Sequence, residues 1–235
     1  MPLSALTPGA ASTGTRFSVK GRQRDRHTSM TIKVGPGVDA ELNVRMIERV
    51  TIHEAGHAVI SETVGLRVAM VLSVYRASDA IAGPIFNALK QQYAHIGCKV
   101  DGYCEIDRAQ RHPFVMYDPR RRCYTEEAAK RNYAEKHAMS FYAGDLAEDV
   151  FLGGHYEDDV GGLDVESAAA QLRKVYTSEA AVAICRKRLE SRILRMLWRS
   201  IIFTTVLSVA SELKRCGHLT GEDVRRLIRE QRGVR

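Results

Sequence analysis

Nowhere in this 235-residue chain does an apolar run approach the roughly 20 residues a membrane-spanning helix needs. The longest, 201–210, includes Ser and Thr and reads as a buried helix. Aromatics are scarce at 7%, with a single Trp, and Ala, Arg, Leu and Val dominate, a mixture that leans helical. The five cysteines are an odd number and no apolar signal segment opens the chain, so reduced thiols and a cytoplasmic setting are expected. Acids are missing from the first 24 residues, which resemble a transit peptide in composition. A disordered tail, or residues ahead of a start near Met30, gives the same composition without targeting. No Gly-x-x-x-x-Gly-Lys-Ser/Thr loop occurs anywhere in the sequence, which excludes a nucleotide site of that kind.

What is present suits one medium domain with a tail: 45% apolar and 27% charged residues, a net charge of +7 and a pI of about 9.3. The basic residues are scattered through 22–26, 120–122, 186–192 and the C-terminus. Spread in this way they read as solvated helix faces, and a nucleic-acid footprint is not expected. Residues 1–38, rich in Gly, Pro, Ser, Thr and Arg, read as a disordered basic tail, and 39–235 as the folded domain. Asp39 can cap a helix whose apolar positions include Leu42, Met46, Ile47, Val50 and Ala58, stopping at Gly65. Residues 67–75 read as a strand, 76–124 carry turn residues and a second strand near 100–106, and Thr125-Glu126-Glu127 opens a helix that ends at Gly153-Gly154. Further helices are expected over 164–176, over 178–214 with one or two breaks before Gly217, and from a Thr220 cap to Ile228. The fold class is mainly α (α+β), helical with a small β-sheet or hairpin.

His53-Glu54-Ala55-Gly56-His57 is the strongest signal. Two His four residues apart on a helix share one face, so both imidazoles can reach a single ion. Zinc accepts neutral imidazole well, and a catalytic zinc site has three protein ligands with one open position for water. Glu54 is placed to take the proton from that water as it attacks a carbonyl. The third ligand is not Thr63, and with Ile60 where a Gly would stand the metzincin pattern fails. Acids remain: Asp145, Glu148, Asp149, Glu157, Asp158, Asp159, Asp164 and Glu166 share one downstream stretch. Chemistry alone does not choose among them, although Asp164 follows a Gly-Gly pair near a helix start.

In order along the chain, residues 50–59 (VTIHEAGHAV), 142–151 (YAGDLAEDVF), 161–168 (GGLDVESA), then 209–213 and 219–224, resemble the peptidase domain of the FtsH family of ATP-dependent zinc proteases. The resemblance spans roughly 40–230. It implies a zinc metallopeptidase in which Asp164 joins His53 and His57 as third ligand. The family carries Asn immediately before that Asp, where this chain has Leu163. Without a phosphate-binding loop, the expected substrates are peptides or unfolded proteins, cut alone or with a separate AAA+ ATPase partner. The family's hexamers depend largely on the ATPase, so a homo-oligomer stays open. The 67–75 strand, shortly after the metal helix, fits an edge to which an extended peptide adds.

Two other classes compete with a peptidase: a catalytically silent regulatory or adaptor protein with a peptidase-like fold, against which the intact Glu54 argues, and a basic nucleic-acid binder, which rests on net charge alone. Cys98, Cys104, His112 and Cys123 match no familiar structural zinc spacing and read as small buried side chains. Trp198, amid Leu197, Ile201 and Ile202, reads as core.

Overall fold

Helix α1 (Pro36–Val64) begins three residues before Asp39, which lies inside it and does not cap it. Proline is well suited to a first helical position, because its φ is already helical and the N–H it lacks would have no partner there. Residues 36–38 therefore belong to the folded part. The computed structural model describes residues 36–73, 84, 102–107, 109–110, 113–154 and 162–233, with α1 side chains from Val44 onward. The remainder of the tail reading, 1–35, lies outside the described residues.

From Thr51 to Ser61 nearly every α1 residue is buried, the mark of a helix enclosed on all sides. Its polar members are satisfied locally: Thr51 Oγ1 donates to the Ile47 carbonyl at 2.9 Å, and the Ser61 and Ser140 hydroxyls meet at 2.7 Å. Helix α2 (Glu126–Phe151), capped by Thr125 accepting from Ala128 N at 3.1 Å, lies across α1. The crossing is made by small residues. A Cβ on Gly56 would stand 2.6 Å from Ala147 Cβ and 2.7 Å from the Ala143 carbonyl oxygen, so only glycine permits this approach.

Three further helices follow, α3 (Leu163–Arg173), α4 (Glu179–Leu197) and α5 (Ser200–Cys216), with α6 (Gly221–Gln231) closing the fold. The α4 side chains Val182, Cys185, Leu189, Ile193 and Leu197 are buried, as are Val206, Val209 and Leu213 on α5. The expected 178–214 stretch breaks once, at Trp198 and Arg199, where the chain turns by 84°. At that corner Trp198 is 79% exposed, which overturns its reading as core. Its apolar sequence neighbours are divided by the bend, with Leu197 and Ile202 facing inward while Trp198 and Ile201 face out.

The small sheet has the order β2-β1-β5, antiparallel throughout: β1 (Val68–Ser73) lies between β2 (Gly102–Ile106) and β5 (His218–Thr220). Val71 pairs with Cys104 on one side and Leu219 on the other. A hairpin, β3 (Met116–Asp118) and β4 (Cys123–Thr125), packs at the start of α2, its turn held by Asp118 Oδ1 accepting from the backbone N–H groups of Arg120 and Arg121 at 2.9 and 3.4 Å. The fold is mainly α with a small antiparallel sheet. Among the described residues, no single helix is long and apolar enough to cross a membrane.

Candidate metal centre

The α1–α2 crossing and the start of α3 bring three ligand-bearing side chains together. Asp164 Oδ2 lies 3.1 Å from His53 Nε2 and 3.2 Å from His57 Nε2, and all three ligand atoms fall within 4.8 Å of one another. Bonds of about 2.0–2.1 Å in a tetrahedron put neighbouring ligand atoms about 3.3 Å apart, so these separations suit one ion. Among the described residues no other such cluster of His, Cys, Asp and Glu occurs. The group could hold a metal.

Local structure explains each position. His53 and His57 are one helical turn apart on α1, with ring centroids 4.6 Å apart and the planes at 84°. Asp164 is in the first turn of α3, after an extended Gly162 at the N-cap that makes no side-chain cap. A carboxylate there also benefits from the positive end of the helix dipole. Leu163, the departure from the family pattern, is the first residue of the same helix and leaves the carboxylate in reach. Of the other acids considered, Glu166 pairs with Arg173 at 3.0 Å, and Glu157, Asp158 and Asp159 lie outside the described residues.

The histidines are oriented from behind. His57 Nδ1 faces the Ser140 carbonyl at 2.6 Å, and since a carbonyl only accepts, that nitrogen carries the hydrogen. Once His57 is neutral, its Nε2 and Asp164 Oδ2 are both acceptors, so a positive charge has to sit between them. Asp145 Oδ1 and Glu148 Oε2 stand 3.5 and 3.6 Å from His53 Nδ1, close enough for charge attraction though beyond hydrogen-bond length. Glu148 is in turn paired with Arg49. Asp145 and Glu148, two of the acids considered as third ligand, thus stand behind His53 instead, and nothing in the sequence marks the Ser140 carbonyl.

Glycine 144 makes the space. A Cβ there would stand 2.5 Å from His57 Nε2 and 2.6 Å from His53 Nε2, in the cradle the ion would fill. No sequence signal distinguished this requirement from ordinary helix packing. Access remains, since the Asp164 side chain is 31% exposed and that of His53 is partly open.

Electrostatics favour a cation. Burial opposes a charged imidazole, yet Asp164 and the other nearby carboxylates outweigh it, raising His57 above its ordinary value and His53 well above. Burial would likewise raise Asp164, but His57 and His53 hold it well below the usual carboxylate range. Four acids, Glu54, Asp145, Glu148 and Asp164, surround the histidines with Arg49 as the nearby cation. Donor set, separations, tautomer and cradle all fit a zinc-type ion.

Glu54, between the two histidines in sequence, is near enough to interact with both and with Asp164. Its carboxylate is buried, and burial pushes it up to about 7 against the pull of His57 and His53. Its Oε2 is buried without a hydrogen-bond partner. A Cβ on Gly102, the first residue of β2, would collide with the Glu54 side chain, 2.5 Å from Cγ. Cys104, two residues on, is kept a neutral thiol by burial and by nearby Glu54 and Asp164. Of the residues read with it as small buried side chains, Cys123 is exposed on the β3–β4 hairpin, and Cys98 and His112 lie outside the described residues.

The strand expected to receive substrate has no edge to offer, because β1 is paired on both sides, by β2 and by β5. The strand that comes against Glu54 is β2, at Gly102. No protein-family model matches the chain, and no curated protein matches it.

Proposed function

We propose that the protein is a zinc-dependent peptidase that hydrolyses peptide bonds in peptides or unfolded protein segments. One observation carries this reading: the His53, His57 and Asp164 ligand atoms converge beside a buried carboxylate, Glu54, that has an unpartnered oxygen. A structural metal site needs no such base, and three protein ligands are the number that leaves a position open for chemistry. Bound zinc would supply Lewis acidity to the scissile carbonyl and to the attacking water.

The chain's own residues do the rest. Glu54 takes the proton of the attacking water on its free Oε2 and returns it to the nitrogen of the departing amine. Burial pushes this carboxyl up to about 7, and a cation close by would draw it toward its ionised, basic form. The Ser140 carbonyl keeps His57 in the tautomer whose Nε2 would be free to hold a metal, and Glu148, fixed by Arg49, orients His53. The substrate would reach Glu54 past Gly102, the first residue of β2, which packs against that side chain. Extended backbone suits so enclosed a site, which restricts cleavage to peptides and unfolded segments, with or without a separate ATPase to deliver them.

The test is cleavage of casein by zinc-loaded wild type and Glu54→Gln. The variant should retain zinc and lose activity by about 100-fold or more, the usual scale for removing a general base. Equal cleavage by the two proteins rules the mechanism out. Bound zinc without cleavage by either favours the silent, adaptor-like alternative.

A further inference from the structure

The α4–α5 corner is unlike the rest of the surface. Trp198 is the only tryptophan in the sequence and stands 79% exposed where the chain turns by 84°. Ile201, on the first turn of the next helix, is 42% exposed beside it. Along α4, Lys187, Arg195 and Trp198 follow at helical spacing on one outward face, with Arg192 and Arg199 flanking. Among the described residues none of these four cations has an acidic partner, and Arg195 Nε donates only to the Ser191 carbonyl at 3.2 Å. Elsewhere on the same helix arginines are neutralised, Arg186 by Glu190 at 2.6 Å and Arg188 by Glu135 at 2.7 Å.

We infer that this corner docks the protein onto an anionic lipid surface. A protruding indole at the end of an outward helix face bearing cations without acidic partners matches the headgroup layer, where tryptophan settles at the polar–apolar boundary and arginine meets lipid phosphate. The helices themselves do not enter the bilayer, because the apolar residues of α5, including Val206, Val209 and Leu213, are spent in the core. Attachment is therefore peripheral and reversible, set by one aromatic side chain and a patch of positive charge. It is independent of the metal centre.

The single tryptophan reports its own environment. The full-length protein is titrated with phosphatidylcholine vesicles with and without a one-third share of phosphatidylglycerol, following fluorescence and co-sedimentation. The expected result is a blue shift of Trp198 emission and binding with the anionic vesicles only, both reversed by salt. Arg195→Gln/Arg199→Gln should weaken binding about 25-fold, at about fivefold per cation near an anionic surface. Trp198→Ala should lose sedimentation while keeping its helical circular dichroism. The inference is overturned if the protein does not bind the anionic vesicles, or binds them with Trp198 emission unchanged. A blue shift that appears on concentrating the protein alone, or with an oligonucleotide and not with vesicles, overturns it too, assigning the corner to a second copy or to nucleic acid.

Discussion

Helix α6 and the α1–α2 crossing are built from the same kinds of charged side chain and use them to opposite ends. On α6, Glu222 accepts from Arg229 at 2.9 Å and Arg226 meets Glu230 at 2.9 Å, both pairs facing water, while Arg225 reaches Glu222 at 3.2 Å and also turns inward to Glu62 at 2.9 Å. At the crossing, Glu148 joins Arg49 and approaches His53 with its side chain almost wholly buried. Both glutamates are held below their ordinary pKa, Glu222 by hydrogen bonds from Arg229 and Arg225, Glu148 by His53 and Arg49 in spite of a burial that would raise it. On α6, water stands ready to replace either partner, so the pairs decorate a helix that its buried Val224 and Ile228 already hold. In the crossing Glu148 is shut away from water although Arg49 reaches the surface, so a partner lost to the buried carboxylate is not replaced there, and each group fixes the next. Burial, more than the inventory of charges, separates a surface from a site.

That contrast can be broken at four positions. The largest effect is expected at Gly144→Ala, whose Cβ would occupy the cradle 2.5 Å from His57 Nε2. Zinc content measured on the purified protein should drop from one per chain to near none while the helical circular dichroism persists. A stoichiometric zinc complex of that variant would show that the ion does not sit there. Next comes Glu148→Gln, which removes the charge behind His53 and the partner of Arg49. Its zinc affinity, read by competition with a chelating dye, should weaken by about 10–100-fold.

Smaller effects belong to α6. Thr220 caps it within a reciprocal capping box, accepting from Asp223 N while Asp223 accepts from the Thr220 N–H. Thr220→Ala should cost about 1 kcal/mol, or about 2–4 °C in melting temperature for a domain of this size, with zinc affinity unchanged. Glu222→Gln should leave the melting temperature at wild-type level in physiological salt. A loss of zinc in either α6 variant would erase the distinction between the two regions.

How much of this could be read from the residues follows the same division between local and remote. His53, Glu54 and His57 lie within one helical turn, so their convergence is fixed by the 3.6-residue period. Asp164 is 107 residues from His57, and its choice over seven other acids depends on how α1, α2 and α3 cross. Residue chemistry left it open, and only the family resemblance pointed to it. Gly144 and Gly102 matter for the atoms opposite them, which no neighbour in sequence announces. The stretch around β1 was legible as a strand but not as an interior one, because its partner β5 is three residues squeezed between the left-handed Gly217 and the Thr220 cap. The β3–β4 hairpin is equally short and escaped notice. The helix expected to Tyr176 stops at Arg173, and the Tyr176 hydroxyl instead meets Glu135 at 2.5 Å.

The span between ligands has a bearing on more than chemistry. His53 and Asp164 are 111 positions apart, so an ion gripping both would act as a removable staple across nearly half the chain. A staple that only the folded chain can hold adds stability in proportion to the logarithm of its free concentration, about 2.7 kcal/mol once that concentration is a hundred times the dissociation constant. The persistence of the fold would then track the supply of metal around it. A scarcity that idles the centre would also loosen the framework, turning the protein itself into a better target for unfolding and removal.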